Sequence, residues 1–213
     1  MGFPRMGDIM DTLTLYTNPM SRGRIARWMM EELGQPYDTV ILDYGTTMKA
    51  PEYLAINPMG KVPAVTHGNR VITEGAAICT YLAEAFPQAG LMPEDRAGFY
   101  RWMFFGAGPL EQAVVNTSFG WKPNTPQEAG RVGYGGLEQT VAVLTAHLVG
   151  RPFIVGEHFS AADVYVGSQI GWGLQFKTIP ANETLTAYWD GIKTRPALAR
   201  ANALDDALLK KDA

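Results

Sequence analysis

The first half of the chain combines two hydrophobic periods, one typical of strands and one typical of helices. Alternating polar and apolar residues and β-branched residues predict four short strands, at residues 12–16, 37–42, 64–66 and 70–73. Apolar residues spaced three or four apart predict a helix after the first strand, ended by Gly34, and another over 74–86. With a helical turn at 49–56, the predicted order is β-α-β followed by β-β-α, which is a compact α/β module.

The rest of the chain, from Asp95 onward, keeps only the helical period. A long helix is expected first, with a kink at Pro109. The capping box at 125–128 predicts a second helix that continues through 133–136, where three glycines indicate close helix packing. The segment 160–163 is typical of another capped helix start, and two shorter helices are predicted after it.

The boundary between the two patterns falls in a stretch that contains several Pro and Gly residues, from Pro87 to Pro93. At 213 residues, the chain is long enough to form two small domains with a substantial core. The predicted organisation is an N-terminal extension at 1–10, an α/β domain at 11–88, a linker at 89–94 and an all-helical domain at 95–213.

Composition and charge exclude several kinds of partner. The net charge is -3, and no cluster of Lys and Arg forms the basic face that nucleic acid needs. Because there is one cysteine, Cys79, no internal disulfide can form; we expect a reducing compartment and a packing role for this residue. No apolar run approaches the roughly 18 residues of a membrane span, and residues 1–10 lack the apolar core of a signal peptide. We therefore expect a soluble, cytoplasmic chain with no membrane partner.

The histidines provide no evidence for a metal site. Metal ligands recur at short, regular spacings, which are absent here, so we expect surface or capping roles and no metal for the three histidines, His67, His147 and His158.

The strongest chemical signal comes from two short segments of the α/β module. Val62-Pro63 stands at the start of a strand, where a proline bend exposes the backbone groups of Val62 to an extended peptide. Thr73-Glu74-Gly75 stands where a strand meets a helix, whose first N–H groups favour an anion. The Glu74 carboxylate beside them suits an ammonium group, and Gly75 permits close approach. Together they predict a site for a small zwitterionic peptide.

These residues also carry a resemblance. The segments LAINPMGKVPAV and TEGAAICTYLAEAF are similar to the glutathione-binding half of soluble glutathione transferases, especially bacterial ones, and the match covers about residues 11–205. The resemblance implies an α/β thioredoxin-like N-terminal domain, an all-α C-terminal helical bundle and a homodimer with each active site near the interface.

The resemblance also assigns roles to the motif residues. It implies a cis bond before Pro63, pairing of the Val62 backbone with the cysteinyl part of glutathione, and a γ-glutamyl end held by Glu74 and the N–H of Gly75. Many family members have Ser where Gly75 stands, so a hydroxyl contact is absent here. The glutathione-binding residues predicted in this way are Asn18, Arg22, Lys61, Val62, Pro63, Glu74 and Gly75.

The family places its thiol-activating residue in the loop after the first strand, here residues 18–22. Ser21 is predicted to be catalytic, because a hydroxyl that donates to the glutathione sulfur stabilises the thiolate. Three alternatives stay open at this point. Ser21 could only cap the first helix, Asn18 could take the catalytic role, or Arg22 could offer positive charge to the sulfur.

An apolar pocket for the second substrate is predicted between this loop and the long helix, lined by Met20, Tyr100, Phe104, Phe105 and Trp172. The leading hypothesis is conjugation of the glutathione thiolate to a small apolar electrophile, as in detoxification. Glutathione-dependent disulfide reduction is a second hypothesis, and a non-catalytic binding module with the same fold is a third.

Overall fold

The structure is a computed structural model, and it describes residues 12–209. The N-terminal extension predicted at 1–10 lies outside the described residues. No helix within residues 12–209 is long and apolar enough to cross a membrane.

A four-stranded sheet with the order β2-β1-β3-β4 forms the centre of the α/β module. Its strands are β1 (Leu13–Thr17), β2 (Asp38–Ile41), β3 (Ala64–His67) and β4 (Arg70–Thr73). β1 is parallel to β2 and antiparallel to β3, and β3 is antiparallel to β4. A parallel pair requires a crossover, which the helix α1 (Gly23–Leu33) provides, whereas β3 and β4 need only a tight turn.

Every described element after β4 is helical. The α/β module contains the short helix α2 (Pro51–Leu54) before β3 and ends with α3 (Gly75–Ala85). The remaining helices are α4 (Arg96–Phe105), α5 (Glu111–Ser118), α6 (Pro126–Arg131), α7 (Leu137–Leu148), α8 (Ala161–Gln175), α9 (Glu183–Ile192) and α10 (Pro196–Leu209). The predicted fold class, an α/β module followed by a helical bundle, is confirmed.

One hydrophobic core runs through both parts of the molecule. It contains Leu15 of β1, Met29 of α1, Ile78 of α3 and Phe99 of α4, all fully buried. The predicted apolar face of α1 is confirmed, since Ile25, Trp28, Met29 and Leu33 are buried. Helix α8 is buried along most of its length, and the predicted capping box of Ser160 and Asp163 fixes its start. This central helix joins the two parts.

Two predictions about the helical part need correction or refinement. The helix predicted to continue through 133–136 is broken there: α6 ends at Arg131, α7 begins at Leu137, and Gly135 has a left-handed φ of 69°. A Cβ at Gly133 or Gly136 would meet no atom within 4 Å. No other described helix packs closely against these two glycines, which belong instead to the turn between α6 and α7. At Pro109 a π-helical segment, Gly106–Leu110, joins α4 to α5 where a kink was predicted.

Candidate functional site

The predicted binding residues lie along one edge of the sheet because of the register of β3. Ala64, the first residue of β3, pairs with Tyr16 near the end of β1 and with Thr73 at the end of β4. The segments that follow β1 and β4 and the segment that precedes β3 therefore leave the sheet at the same edge. Leu42, just after β2, belongs to this edge too, because its N–H donates to the carbonyl of Thr17 (2.9 Å).

The backbone around Val62 is held by side chains beneath it. The Val62-Pro63 peptide bond is cis, and Pro63 is buried. The carbonyl of Lys61 accepts hydrogen bonds from the hydroxyl of Tyr53 and from Nδ2 of Asn57 (2.8 Å). Burial raises the pKa of Tyr53 to about 12, so the phenol stays a donor at neutral pH. Two buried side chains thus fix the chain just before Val62, while the side chain of Lys61 is exposed.

Glu74 connects β4 to α3 in a backbone conformation that residues other than glycine rarely adopt. Its φ is 66° and its ψ is 120°, and its side chain is exposed. Such a conformation costs on the order of 1–3 kcal/mol and is found mainly where function requires it. Because α3 begins at the next residue, Gly75, a carboxylate lies beside the N–H groups of a helix N-terminus. This arrangement suits the two opposite charges of an α-amino acid.

The side chain of Tyr165, on α8, gives a physical reason for glycine at position 75. A Cβ on Gly75 would lie 3.2 Å from Cε2 of Tyr165, and a Cβ on Gly106 would lie 3.1 Å from Cε1 of the same ring. Tyr165 is buried between these glycines, and burial raises its pKa. A serine at position 75 would therefore press against an aromatic ring from the helical part.

The side chain of Asn18 holds the loop at 18–22 against the strand that follows α1. Its Nδ2 donates to the carbonyl of Leu42 (2.8 Å), and its Oδ1 accepts from the N–H of Met20 (2.9 Å). Asn18 is also buried. Both ends of its amide are thus engaged within the protein, which makes Asn18 a residue that shapes the loop.

The hydroxyl of Ser21 takes part in the same turn. It donates to the carbonyl of Asn18 (2.6 Å) and accepts from the N–H of Gly23, the first residue of α1 (2.9 Å). Ser21 is half-buried at the sheet edge described above. The bond from the first N–H of α1 is what the capping alternative expects, and the loop leaves the sheet at the same edge as the segments of Val62 and Glu74.

Arg22 extends from the loop to the helical part. Its Nε forms an ion pair with Oε1 of Glu111, at the start of α5 (2.9 Å). Arg22, Glu111 and Trp172 line a small cleft of about 70 Å³, which is completed by Val114, Val115, Gln169, Gly173 and Thr178. The structure thus brings together two of the predicted site residues, Arg22 and Trp172.

Two other residues predicted for the apolar pocket, Tyr100 and Phe104, are not among the residues that line this cleft. Tyr100 donates to Oε1 of Glu84 (3.3 Å), and Glu84 lies about 13 Å along α3 from Gly75 at 1.5 Å per residue. Phe104, one helical turn after Tyr100, is 73% exposed. Tyr100 therefore lies beside the C-terminal end of α3, whereas the loop lies at the sheet edge from which α3 begins.

The remaining two pocket residues have individual environments. Met20 is 71% exposed at the tip of the loop, where its carbonyl accepts from the hydroxyl of Tyr44 (3.4 Å). Phe105 is half-buried, and its ring packs edge-on against Trp102 with 5.0 Å between the centroids. Met20 borders the site edge, whereas Phe105 contributes to the helical core.

The structure brings to the site several residues that the sequence did not predict. They come from three parts of the chain, and none is part of a recognisable motif: Tyr44 follows β2, Glu111 begins α5, and Tyr165 and Gln169 are on α8. The spaced glycines at 75 and 106 were a signal for a large neighbour, although they did not indicate which residue it would be.

The side chain of Cys79 is enclosed by the hydrophobic core. Cys79 is fully buried in α3, and burial raises its pKa to about 12, which agrees with the predicted packing role. Within residues 12–209 no group of three or more His, Cys, Asp or Glu side chains could hold a metal ion.

A four-stranded sheet with a cis-proline edge, followed by a helical bundle, defines the class of thioredoxin-like proteins with an added helical domain. Residues 15–90 match the family model for the N-terminal domain of glutathione S-transferases. The α/β module therefore contains a glutathione S-transferase N-terminal domain.

Individual relatives agree with this assignment. Glutathione S-transferase GST-4.5 of Xanthomonas campestris pv. campestris is 27% identical over 172 residues, covering 75% of this chain and 82% of the relative. Glutathione S-transferase GstA of Escherichia coli O157:H7 is 25% identical over 197 residues, covering 89% of this chain and 96% of the relative.

Solved structures show the same architecture. A glutathione S-transferase from Xylella fastidiosa superposes with a TM-score of 0.75 at 25% identity, covering 91% of this chain and 98% of that one. A sphingomonad glutathione S-transferase, solved in complex with glutathione, superposes with a TM-score of 0.72 at 27% identity over the same shares of the two chains.

Proposed function

We propose that this glutathione transferase conjugates the glutathione thiolate to a small apolar electrophile. The observation that carries the proposal is the register of β3, in which Ala64 pairs with both Tyr16 and Thr73. This pairing brings three segments to one edge of the sheet: the backbone at Val62, the start of α3, and the loop that carries the Ser21 hydroxyl. The family relationship and the glutathione complex of the sphingomonad relative support glutathione as the co-substrate.

In the proposed binding mode, glutathione lies extended across the start of β3. The N–H and C=O of Val62 pair with its cysteinyl residue, as an added strand would. The Glu74 carboxylate binds the ammonium group of the γ-glutamyl end, and the N–H of Gly75 binds its carboxylate. Lys61, which is exposed just before Val62, provides positive charge beside the peptide.

Thiol activation is assigned to the loop at 18–22, with Ser21 as the donor. A free thiol has a pKa of about 8.5, and each unit of lowering corresponds to about 1.4 kcal/mol of preference for the thiolate. In this proposal the Ser21 hydroxyl turns from the carbonyl of Asn18 to the sulfur, and the N-terminus of α1 adds to the effect. The engaged amide of Asn18 and the ion pair of Arg22 favour Ser21 over the two alternatives.

The apolar acceptor is assigned to the space around the cleft that Arg22 and Trp172 line. Trp172 is half-buried, so its indole offers apolar contact area at the side of the loop. Met20 borders this region in the proposal, whereas Phe105 packs against Trp102 in the helical core and Tyr100 lies beside Glu84.

Further parts of the proposal concern organisation. We place the domain boundary at 89–94, after the short helical turn Pro87–Ala89 and before α4. We also propose a homodimer located in the cytoplasm, as the family resemblance implies.

Two measurements test the function. Titration calorimetry should detect glutathione binding, and a chlorodinitrobenzene-type acceptor should be turned over faster than a mixed disulfide of glutathione. Absence of glutathione binding would contradict both enzymatic hypotheses and favour a binding module. Faster turnover of the mixed disulfide would replace conjugation with disulfide reduction.

A further inference from the structure

The side chain of Arg24 links the loop at 18–22 to the C-terminal helix. Its Nε donates to the carbonyl of Pro19 (2.6 Å), and its Nη2 donates to Oδ1 of Asp206 on α10 (2.7 Å). The Arg24 side chain is mostly buried, at 22% exposure, whereas that of Asp206 is 55% exposed. One guanidinium group therefore contacts a loop carbonyl with one N–H and a carboxylate from the helical part with another.

Three further ion pairs hold α10 in place: two join α1 to α10, and one joins α1 to the residue just before α10. Arg27 pairs with Asp205 (2.8 Å) with both side chains almost fully buried, and Arg200 pairs with Glu31 (2.9 Å). Arg195, just before α10, makes a two-fold contact with Glu32 (2.7 and 2.8 Å). Because these contacts fix α10 against α1, Asp206 is a stable point from which Arg24 can be oriented.

Two contacts of the loop are local, whereas the Met20 carbonyl accepts from Tyr44 and Arg22 pairs with Glu111. The N–H of Met20 and the hydroxyl of Ser21 both bond to Asn18, so they close the turn without fixing it against the body of the protein. Asn18 anchors one side of the turn to Leu42. Arg24 anchors the other side at Pro19, two residues before Ser21.

We propose that Arg24 is a positioning residue for the thiol-activating loop, and that Asp206 orients Arg24, so that the C-terminal helix helps to set the environment of the glutathione sulfur. This inference rests on the proposed function for its kinetic test. Arg24 acts through the Pro19 carbonyl, whose position determines where the Ser21 hydroxyl lies. The planar guanidinium group suits this task, because its N–H groups point in fixed directions and can serve two acceptors at once.

The first test compares alanine variants of two arginines that both join α1 to α10. Arg24→Ala should raise the pKa of the bound glutathione thiol by about one unit, which lowers kcat/KM about tenfold below that pKa. Arg200→Ala removes a similar contact that does not reach the loop, so it should leave the thiol pKa unchanged. Asp206→Ala should shift the thiol pKa in the same direction as Arg24→Ala, by a smaller amount.

A conservative variant separates position from charge. Arg24→Lys keeps the positive charge, but a single ammonium group cannot reproduce the two directed contacts. We therefore expect the thiol pKa in Arg24→Lys to be raised almost as much as in Arg24→Ala. Full recovery of the wild-type pH profile in Arg24→Lys would show that charge alone matters and would overturn the positioning role.

The second test does not depend on glutathione. Hydrogen exchange of the amides at 20–23 should be faster in Arg24→Ala and in Asp206→Ala than in the wild-type protein, and unchanged in Arg200→Ala. Unchanged exchange together with an unchanged pH profile would overturn the inference. A wild-type protein that binds no glutathione would contradict the proposed function, and hydrogen exchange would still decide whether Arg24 and Asp206 hold the loop.

Discussion

Two neighbouring regions of the site are fixed in different ways. One is the sheet edge at Val62 and Glu74, and the other is the loop at 18–22. Backbone geometry defines the first region through the register of β3 and the left-handed φ of Glu74, and two side chains from the preceding segment support it by donating to the Lys61 carbonyl. The loop depends on side chains that reach it from separate parts of the chain, among them Asp206 through Arg24 and Glu111 through Arg22. Glutathione binding and thiol activation, as proposed above, therefore depend on different parts of the structure. Mutations in one region should change one of them and not the other.

The largest effect should come from the backbone-defined region. Glu74→Gln removes the charge that pairs with the ammonium group, and a hydrogen bond to a charged group is worth about 1.5–3 kcal/mol. We therefore expect glutathione affinity, measured by calorimetry, to fall about 10- to 100-fold. The exposed carboxylate of Glu94, in the segment between α3 and α4, provides the control variant Glu94→Gln. Equal affinity in the two variants would remove Glu74 from the site.

A smaller effect is expected from the loop. Ser21→Ala should raise the pKa of the bound thiol by about one unit and lower kcat/KM about tenfold near neutral pH. Since the thiolate forms in both proteins above the higher pKa, the difference should vanish at alkaline pH. The thiol pKa can be followed by the ultraviolet absorbance of the thiolate.

The matched control for this variant is Ser118→Ala. Ser118 donates to the carbonyl three residues before it (2.7 Å), as Ser21 does, but it lies at the end of α5. Glutathione affinity should stay within about twofold of wild type in both variants, because the backbone-defined region is intact. A large loss of affinity in Ser21→Ala would show that the two regions are not separable.

The smallest effect concerns the apolar acceptor. Trp172→Ala should raise the KM for a chlorodinitrobenzene-type acceptor roughly fivefold through lost apolar contact, with glutathione affinity unchanged. Tyr100→Ala should leave both quantities unchanged, because Tyr100 lies beside Glu84 at the other end of α3. If Tyr100→Ala weakened acceptor binding and Trp172→Ala did not, the acceptor would bind beside Tyr100 and not at the cleft of Trp172, although both residues belong to the pocket predicted from sequence.

The sequence predicted the fold class well because each element depends on local information. The strands, the apolar face of α1 and the capping box at Ser160 follow from spacing and from side chains a few residues apart. The break at Gly135 was missed because the capping box that opens α6 was joined to the helical period of the apolar residues in α7. A left-handed glycine can end a helix without disturbing that period.

The site could be predicted only in part, for a related reason. Val62, Glu74 and Gly75 stand in short motifs whose chemistry follows from strand and helix ends. Glu111 and Tyr165 reach the site because α5 and α8 pack beside it, and no spacing along the chain reports that packing. Tyr100 illustrates the same limit, since the helical spacing of an aromatic residue does not reveal that it faces Glu84.

The burial of Cys79 has a practical consequence for experiments on this protein. It is the only cysteine in the chain, and burial raises its pKa to about 12, so the folded protein presents almost no reactive thiolate of its own. Alkylating reagents and disulfide dyes will therefore react with added glutathione and hardly at all with the folded protein. On unfolding the same thiol becomes accessible, so its labelling rate reports how often the protein opens, in the very sample used for kinetics.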